Sequence, residues 1–312
     1  METEEIETRS EFAFVCGVPT HVLKYGQLGD NDTLILVIPG NPGIIGFYEL
    51  FMDTLNQLSD YSIPVWGVSH AGHVTVPPHI TYSEPPFDIY TLKGQIHHKV
   101  EFIRRYIPST TKLIIISHSI GGYISLEIMK RLPERTFLKS ILLFPTIERM
   151  AESPHGQIAT PLLKYLRWFA FLIVLLLSYL SPILKYRMIT YYFQGRRIAE
   201  CAFNAAMNLF DPVCTSNCMY MAMTEMADVK EPDLATIETN MSKLTFYYGT
   251  IDHWCPISYY QDMQKVFPNA DLHLCEHGFE HAYVLESSVE MATIVWGMVR
   301  KVVRQAEKKR IG

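Results

Sequence analysis

A hydroxyl that can attack a carbonyl, a carboxylate that can hold an imidazole and an imidazole that can take the hydroxyl's proton occur along the chain as Ser119, Asp252 and His281. In that order they could do acyl-transfer chemistry, in which a serine is briefly esterified and water then releases it. Ser119 stands in Leu113-Ile114-Ile115-Ile116-Ser117-His118-Ser119-Ile120-Gly121-Gly122, an apolar run that enters a small-residue turn and then a helical pattern. Such a turn holds a serine in a strained backbone at the carboxyl end of a strand, and the residues two before and two after it must be small. Gly121 meets that need. Ser117 stands where glycine is usual, so the turn alone does not identify a nucleophile.

The carboxyl half supplies the other two groups. Lys243-Leu244-Thr245-Phe246-Tyr247-Tyr248-Gly249-Thr250-Ile251-Asp252-His253-Trp254-Cys255-Pro256 reads as a strand, a glycine turn, an aspartate and a helix-initiating proline. Leu272-His273-Leu274-Cys275-Glu276-His277-Gly278-Phe279-Glu280-His281-Ala282 repeats that layout one strand later, with His281 in the loop before the last helix. Rivals exist for both roles. Asp211, before Pro212, reads as a helix cap, and Asp262 falls inside a helical pattern. His273 alternates with Leu272 and Leu274 as a strand residue would. His277 comes earlier in the loop, and His281 is favoured over it because that loop must reach back to Ser119. His118, His97 and His98 read as structural or exposed. An ester's oxyanion needs two amides, one after the nucleophile and one after an earlier strand. Ile120 offers the first. In Ile38-Pro39-Gly40-Asn41-Pro42-Gly43 the prolines have no N–H, so Asn41 is the natural second donor, and a plain Pro-Gly turn is the bland alternative.

These residues need a sheet to place them. Apolar, β-branched runs at 33–38, 63–68, 112–116, 138–144, 244–248 and 271–275 alternate with helical patterns at 46–58, 94–106, 120–132, 258–266 and 289–305. That alternation predicts a mainly parallel sheet covered by helices, with a leading antiparallel hairpin over 11–15 and 20–25. From about 147 to 240 the strand pattern gives way to helical and loop sequence. The expected organisation is a core in two parts, 1–146 and 241–312, separated by a helical cap over 147–240.

Composition narrows the class of partner. A chain of 312 residues with net charge −5 and a pI near 6.2 lacks the basic, aromatic-interleaved face that binds nucleic acid. Six scattered cysteines read as reduced thiols. Cys214 and Cys218 could share a helix face, but no matching pair follows at a zinc spacing, so neither metal nor organic cofactor is expected. The acidic start Met1-Glu2-Thr3-Glu4-Glu5 is not the basic opening of a secretory signal.

The mean hydropathy of +0.08 is concentrated in segment 168–184, from Trp168 to Leu184, which carries no formal charge. At about 17 residues it reaches the lower edge for a membrane span. A crossing would separate Ser119 from Asp252 and His281, so the segment is expected to dip into a lipid surface and return, or to lie in its plane. Two arms of about eight residues would reach about 12 Å, the depth of a monolayer. Lys164 and Arg167 before it, with Lys185 and Arg187 after it, favour both ends on the cytosolic side. The alternative is an apolar lid over a lipid pocket. The basic tail Lys308-Lys309-Arg310 would add at most a weak attraction to anionic lipid.

Several blocks are more distinctive than the serine turn: Ile38 to Gly43 as written above, Pro64-Val65-Trp66 with Ser69-His70-Ala71-Gly72-His73, Gly94-Gln95-Ile96-His97-His98-Lys99, Leu143-Phe144-Pro145-Thr146-Ile147-Glu148-Arg149-Met150, Glu152-Ser153-Pro154, and Lys243 to Pro256. Through them nearly the whole chain resembles the lipid droplet-associated hydrolase family. The resemblance implies an α/β-hydrolase fold and Ser119, Asp252 and His281 as a catalytic triad. It also implies ester-lipid handling at lipid droplets and the cytosolic face of the endoplasmic reticulum, with sterol esters as one substrate class and a part in cholesterol and triacylglycerol homeostasis. A droplet-surface adaptor with a residual hydrolase fold, or an acyltransferase using the same triad, are the alternatives.

Overall fold

In the computed structural model, which describes residues 9–29, 33–85 and 87–311, the β-branched runs become one eight-stranded sheet. Its strands are β1 (Arg9–Val15), β2 (Val18–Tyr25), β3 (Thr33–Ile38), β4 (Val65–Val68), β5 (Lys112–His118), β6 (Phe137–Leu143), β7 (Leu244–Tyr248) and β8 (Leu272–Leu274). The spatial order is β1-β2-β4-β3-β5-β6-β7-β8, parallel from β4 to β8, with β1 and β2 as an antiparallel hairpin at one edge. Cys16 and Gly17 close that hairpin with φ of 52° and 80°, the sense of twist a two-residue turn needs. The central strands β3 and β5 are buried along almost their whole length, because helices cover both faces, and therefore read as continuous apolar runs.

The expected strand at 63–68 begins later, at Val65. Pro64 has no N–H for a ladder, although its carbonyl accepts from Ile35 at 3.0 Å. The crossover helices are α1 (Glu49–Leu58), α2 (Leu92–Tyr106), α3 (Ile120–Arg131), α10 (Ile257–Val266) and α11 (Ser288–Ile311). Residues 46–48, expected to open the first of these, belong instead to a tighter 3-10 turn over Ile45–Tyr48 that buries Ile45, Phe47 and Tyr48.

Between β6 and β7 come α4 (Pro154–Tyr165), α5 (Arg167–Ser178), α6 (Pro182–Tyr192), α7 (Glu200–Met207), α8 (Pro212–Asp228) and α9 (Leu234–Asn240). One local signal starts three of them: a short polar cap followed by proline at the first helical position, in Ser153-Pro154, Ser181-Pro182 and Asp211-Pro212. Asp211 is thus a cap, its Oδ1 accepting from Val213 at 2.8 Å and Cys214 at 3.2 Å.

Segment 168–184 does not fold as two arms of eight residues. Most of it is the single helix α5, 12 residues long, and the chain breaks at residues 179–181 because Pro182 cannot continue a helix. A second bend, of 78°, separates α4 from α5 at Leu166. Among the described residues no single helix is long and apolar enough to cross a membrane. α5 rests on α8, yet none of its residues is buried, and Trp168, Phe169, Leu172 and Leu176 are 54–70% exposed. The acidic start at residues 1–5 and the side chains of Lys308, Lys309 and Arg310 lie outside the described residues.

Candidate active site

Ser119 stands between the end of β5 and the first turn of α3, with φ of 54° and ψ of −124°. A positive φ is costly for a residue with a Cβ and persists only where its surroundings over-determine it. Here the Ser119 amide donates to the Leu143 carbonyl at 3.0 Å, while the Ser119 carbonyl accepts from Gly122 at 2.9 Å and Thr146 at 3.2 Å. Gly121 has no room for a side chain: a Cβ would lie 2.5 Å from the Ile38 carbonyl oxygen and 2.7 Å from that of Pro39. Because both are backbone atoms, Gly121→Ala is expected to cost about 1–3 kcal/mol, read as a lower melting temperature by calorimetry. Ser117 is accommodated. It is buried, and its Oγ lies 3.4 Å from the Ile141 carbonyl of the neighbouring strand.

The structure brings the three predicted residues together. Ser119 Oγ lies 2.8 Å from His281 Nε2, and His281 Nδ1 lies 2.6 Å from Asp252 Oδ2. Asp252 follows β7 and is buried. Its Oδ1 accepts from the Trp254 amide at 2.7 Å and the Cys255 amide at 3.2 Å, and the Cys255 thiol donates to Oδ2 at 3.0 Å. Burial alone would raise the Asp252 carboxyl, but His281 beside it and these donors bring it below its ordinary value. The carboxylate can only accept, so His281 Nδ1 carries the proton and Nε2 turns its lone pair to the Ser119 hydroxyl.

His118 explains how the His281 loop is held. Its Nε2 lies 2.8 Å from the His281 carbonyl, which only accepts, so Nε2 donates and Nδ1 is the acceptor. Tyr48 therefore donates its hydroxyl to His118 Nδ1 at 2.7 Å while accepting from the Gly40 amide at 2.8 Å. Burial, with His281 adding to it, lowers His118 to about 3, which keeps the ring neutral. The Gly40 amide is consumed by this relay. Among the described residues the Asn41 and Ile120 amides have no such acceptor. From the helical insertion, Arg196 donates to Glu280 and Glu286, on either side of His281.

The rivals lie elsewhere. Asp262 pairs with Arg149 and Lys265, and His273 is exposed on β8 beside Asp271. His277 stacks on Phe279, and His98 is buried against Thr20. Asp252, Cys255 and His281 bring three potential metal-ligand atoms within 4.8 Å of one another, but each is already engaged as a donor or acceptor in the hydrogen bonds above. Tyr48, Cys255, Arg196 and the buried Glu225 of α8 were not singled out by sequence reasoning. Glu225 had a signal: it is a carboxylate in the methionine-rich run Met219-Tyr220-Met221-Ala222-Met223-Thr224-Glu225-Met226.

Ser119 and His281 open on a cavity of about 510 Å³ whose walls are mostly apolar, including Phe47, Met150, Leu163, Phe193, Leu209, Met219, Trp254 and Val284. None of residues 168–184 lines it, so the alternative reading of that segment as an apolar lid over the pocket does not hold. The helical insertion contributes to the walls instead through α4, the end of α6, α7 and α8.

Comparison with known proteins places this geometry. A family model described as lipid-droplet associated hydrolase matches residues 31–284. The lipid droplet-associated hydrolases of Gallus gallus and Homo sapiens are each 42% identical to the chain, over 95% and 94% of it and 96% and 95% of their own lengths. That of Drosophila melanogaster is 35% identical over 91% of the chain and 95% of its own length. Among solved structures, the haloalkane dehalogenase DbeA of Bradyrhizobium elkani superposes with a TM-score of 0.67 at 12% identity, covering 96% of this chain and 100% of its own. The serine hydrolase CarC, involved in carbazole degradation, superposes with a TM-score of 0.63 at 15% identity, covering 94% and 99%. These likenesses show an α/β-hydrolase fold.

Proposed function

The chain belongs to the lipid-droplet associated hydrolase family, and from that premise we propose that it is a serine hydrolase of carboxylic-ester lipids working at the lipid droplet surface. The observation that carries the chemistry is the continuous relay from Ser119 Oγ through His281 to Asp252, set on a strained turn. In this reading Ser119 Oγ attacks the ester carbonyl as His281 Nε2 takes its proton. Asp252 steadies the imidazolium, and the Asn41 and Ile120 amides receive the negative oxygen. His281 hands the proton to the departing alcohol. Water, deprotonated by His281, then attacks the acyl-serine and releases the acid and Ser119.

The apolar cavity supports a lipid acyl chain as substrate, since it offers burial to a hydrocarbon and few polar partners. Sterol esters are the class we favour, with a consequent part in cholesterol and triacylglycerol homeostasis. The exposed apolar face of α5 supports attachment to a lipid surface, whether the droplet monolayer or the cytosolic leaflet of the endoplasmic reticulum. Positive charge lies at both ends of α5, Arg167 stacking over Trp168 and Tyr220 and Lys185 donating to the Ser178 carbonyl. The test is a panel of sterol, triacylglycerol and short-chain esters presented in emulsions to the full chain and to Ser119→Ala. Release of fatty acid from long-chain esters by the wild type alone is expected. Acid released equally by both proteins would refute the proposal.

A further inference from the structure

Glu225 lies on the buried face of α8 that also carries Cys214, Cys218 and Met221, at positions that recur along one side of a helix. It is 1% exposed and lines the cavity that holds Ser119 and His281. Its Oε1 accepts from Asn41 Nδ2 at 2.9 Å, and the same Nδ2 donates to the Cys218 carbonyl at 3.0 Å. Two acceptors on one helix therefore hold the side chain of a residue in the loop after β3. That loop packs on the nucleophile turn so closely that a Cβ on Gly40 would lie 3.0 Å from Ser119 Cβ.

We propose that Glu225, as a neutral carboxylic acid, is a positioning residue that fixes Asn41 beside Ser119 and keeps negative charge out of the cavity where an ester oxygen must acquire it. The inference rests on the serine-hydrolase reading above. A neutral acid satisfies the geometry: its carbonyl oxygen accepts from Asn41 while its hydroxyl remains for the cavity. An ionised one would oppose the oxyanion in a site of low dielectric. Burial pushes the Glu225 carboxyl up to about 7, with the Asn41 hydrogen bond acting against it.

Among the described residues no cation pairs with it. Facing the cavity are His118, His281, Tyr48 and Tyr192, with Cys218 on α8 and His73 behind Cys218. On the elements packed against α8, Lys93 pairs with Asp228, Arg167 stacks on Tyr220, Arg149 pairs with Glu148 and Asp262, Lys164 lies over Tyr165, His155 meets His253 edge to face, and Lys99 donates to the Ser69 carbonyl. Burial raises Tyr48 and Cys218, so both stay protonated as the pH rises through neutrality.

The sign follows from the raised carboxyl: the neutral form prevails below about pH 7 and is lost as pH rises through it. The experiment measures kcat and KM of the full chain on a soluble short-chain ester from pH 5.5 to 9, for wild type, Glu225→Gln and Glu225→Ala. Fluorophosphonate labelling of each runs in parallel. Wild-type kcat is expected to fall above neutrality. Glu225→Gln keeps an acceptor for Asn41 and cannot ionise, so it should hold its kcat across the alkaline range. Glu225→Ala, which frees Asn41, should lose about 10²-fold in kcat at every pH with a much smaller change in KM. Identical pH profiles for wild type and Glu225→Gln, or wild-type kcat in Glu225→Ala, would overturn the proposal while leaving the serine-hydrolase reading intact. A folded wild type that neither hydrolyses nor labels would end that reading, and this inference with it.

Discussion

His281→Ala should lower kcat on a lipid ester by roughly 10⁴- to 10⁶-fold and leave KM within a few-fold of wild type. The size follows from position. His281 Nε2 is the acceptor placed on the Ser119 hydroxyl, and its Nδ1–H donates to a buried carboxylate that accepts from three further donors. Removing the ring leaves a hydroxyl with no acceptor for its proton at the moment of attack. Asp252→Asn should approach the same loss, about 10⁴-fold, because an amide can donate to Nδ1 and so invert the tautomer that faces Ser119. Neither change should unfold the protein, since the His281 loop is also held through its carbonyl by His118 and through Glu280 and Glu286 by Arg196. Steady-state kinetics with a melting curve for each variant checks both statements. A His281→Ala protein that keeps a tenth of wild-type kcat would mean that the proton goes elsewhere.

The second large effect concerns where the protein sits. Leu172 and Leu176 point outward from α5 and are 54% and 70% exposed, in line with Trp168 and Phe169. Transferring the exposed parts of the two leucines from water into acyl chains is worth about 2–4 kcal/mol. Leu172→Asp with Leu176→Asp removes that and adds two charges that hydrocarbon rejects. Binding to phospholipid-coated triolein droplets should therefore weaken by roughly 30- to 700-fold, measured by flotation. Because no residue of 168–184 lines the cavity, kcat on a soluble short-chain ester should stay near wild type. Unchanged flotation would assign attachment to another surface. Lost activity on the soluble ester would couple α5 to the site.

Much of this was legible in the chain because strand ends are marked locally. Runs 33–38 and 244–248 are bounded by turn residues and match β3 and β7 to the residue. Ser119, Asp252 and His281 each follow such a run, so their convergence at the carboxyl ends of the strands could be read from order alone. What could not be read depends on contacts between distant parts of the chain. Tyr48 meets His118 across 70 positions and Asn41 meets Glu225 across 184, and no local pattern announces either. Segment 168–184 shows the same division. Its apolarity and the break before Pro182 are local, whereas the bend at Leu166 and the docking of α5 on α8 are set by packing.

The central claim, that Ser119 is an activated nucleophile, is tested most directly by fluorophosphonate labelling of the full chain followed by peptide mass spectrometry. The relay of Ser119, His281 and Asp252 predicts one phosphonylated residue, Ser119, with labelling abolished in Ser119→Ala and at least a hundredfold slower in His281→Ala, a loss of about 3 kcal/mol. A folded wild-type protein that stays unlabelled at Ser119 while still releasing fatty acid from esters would contradict it.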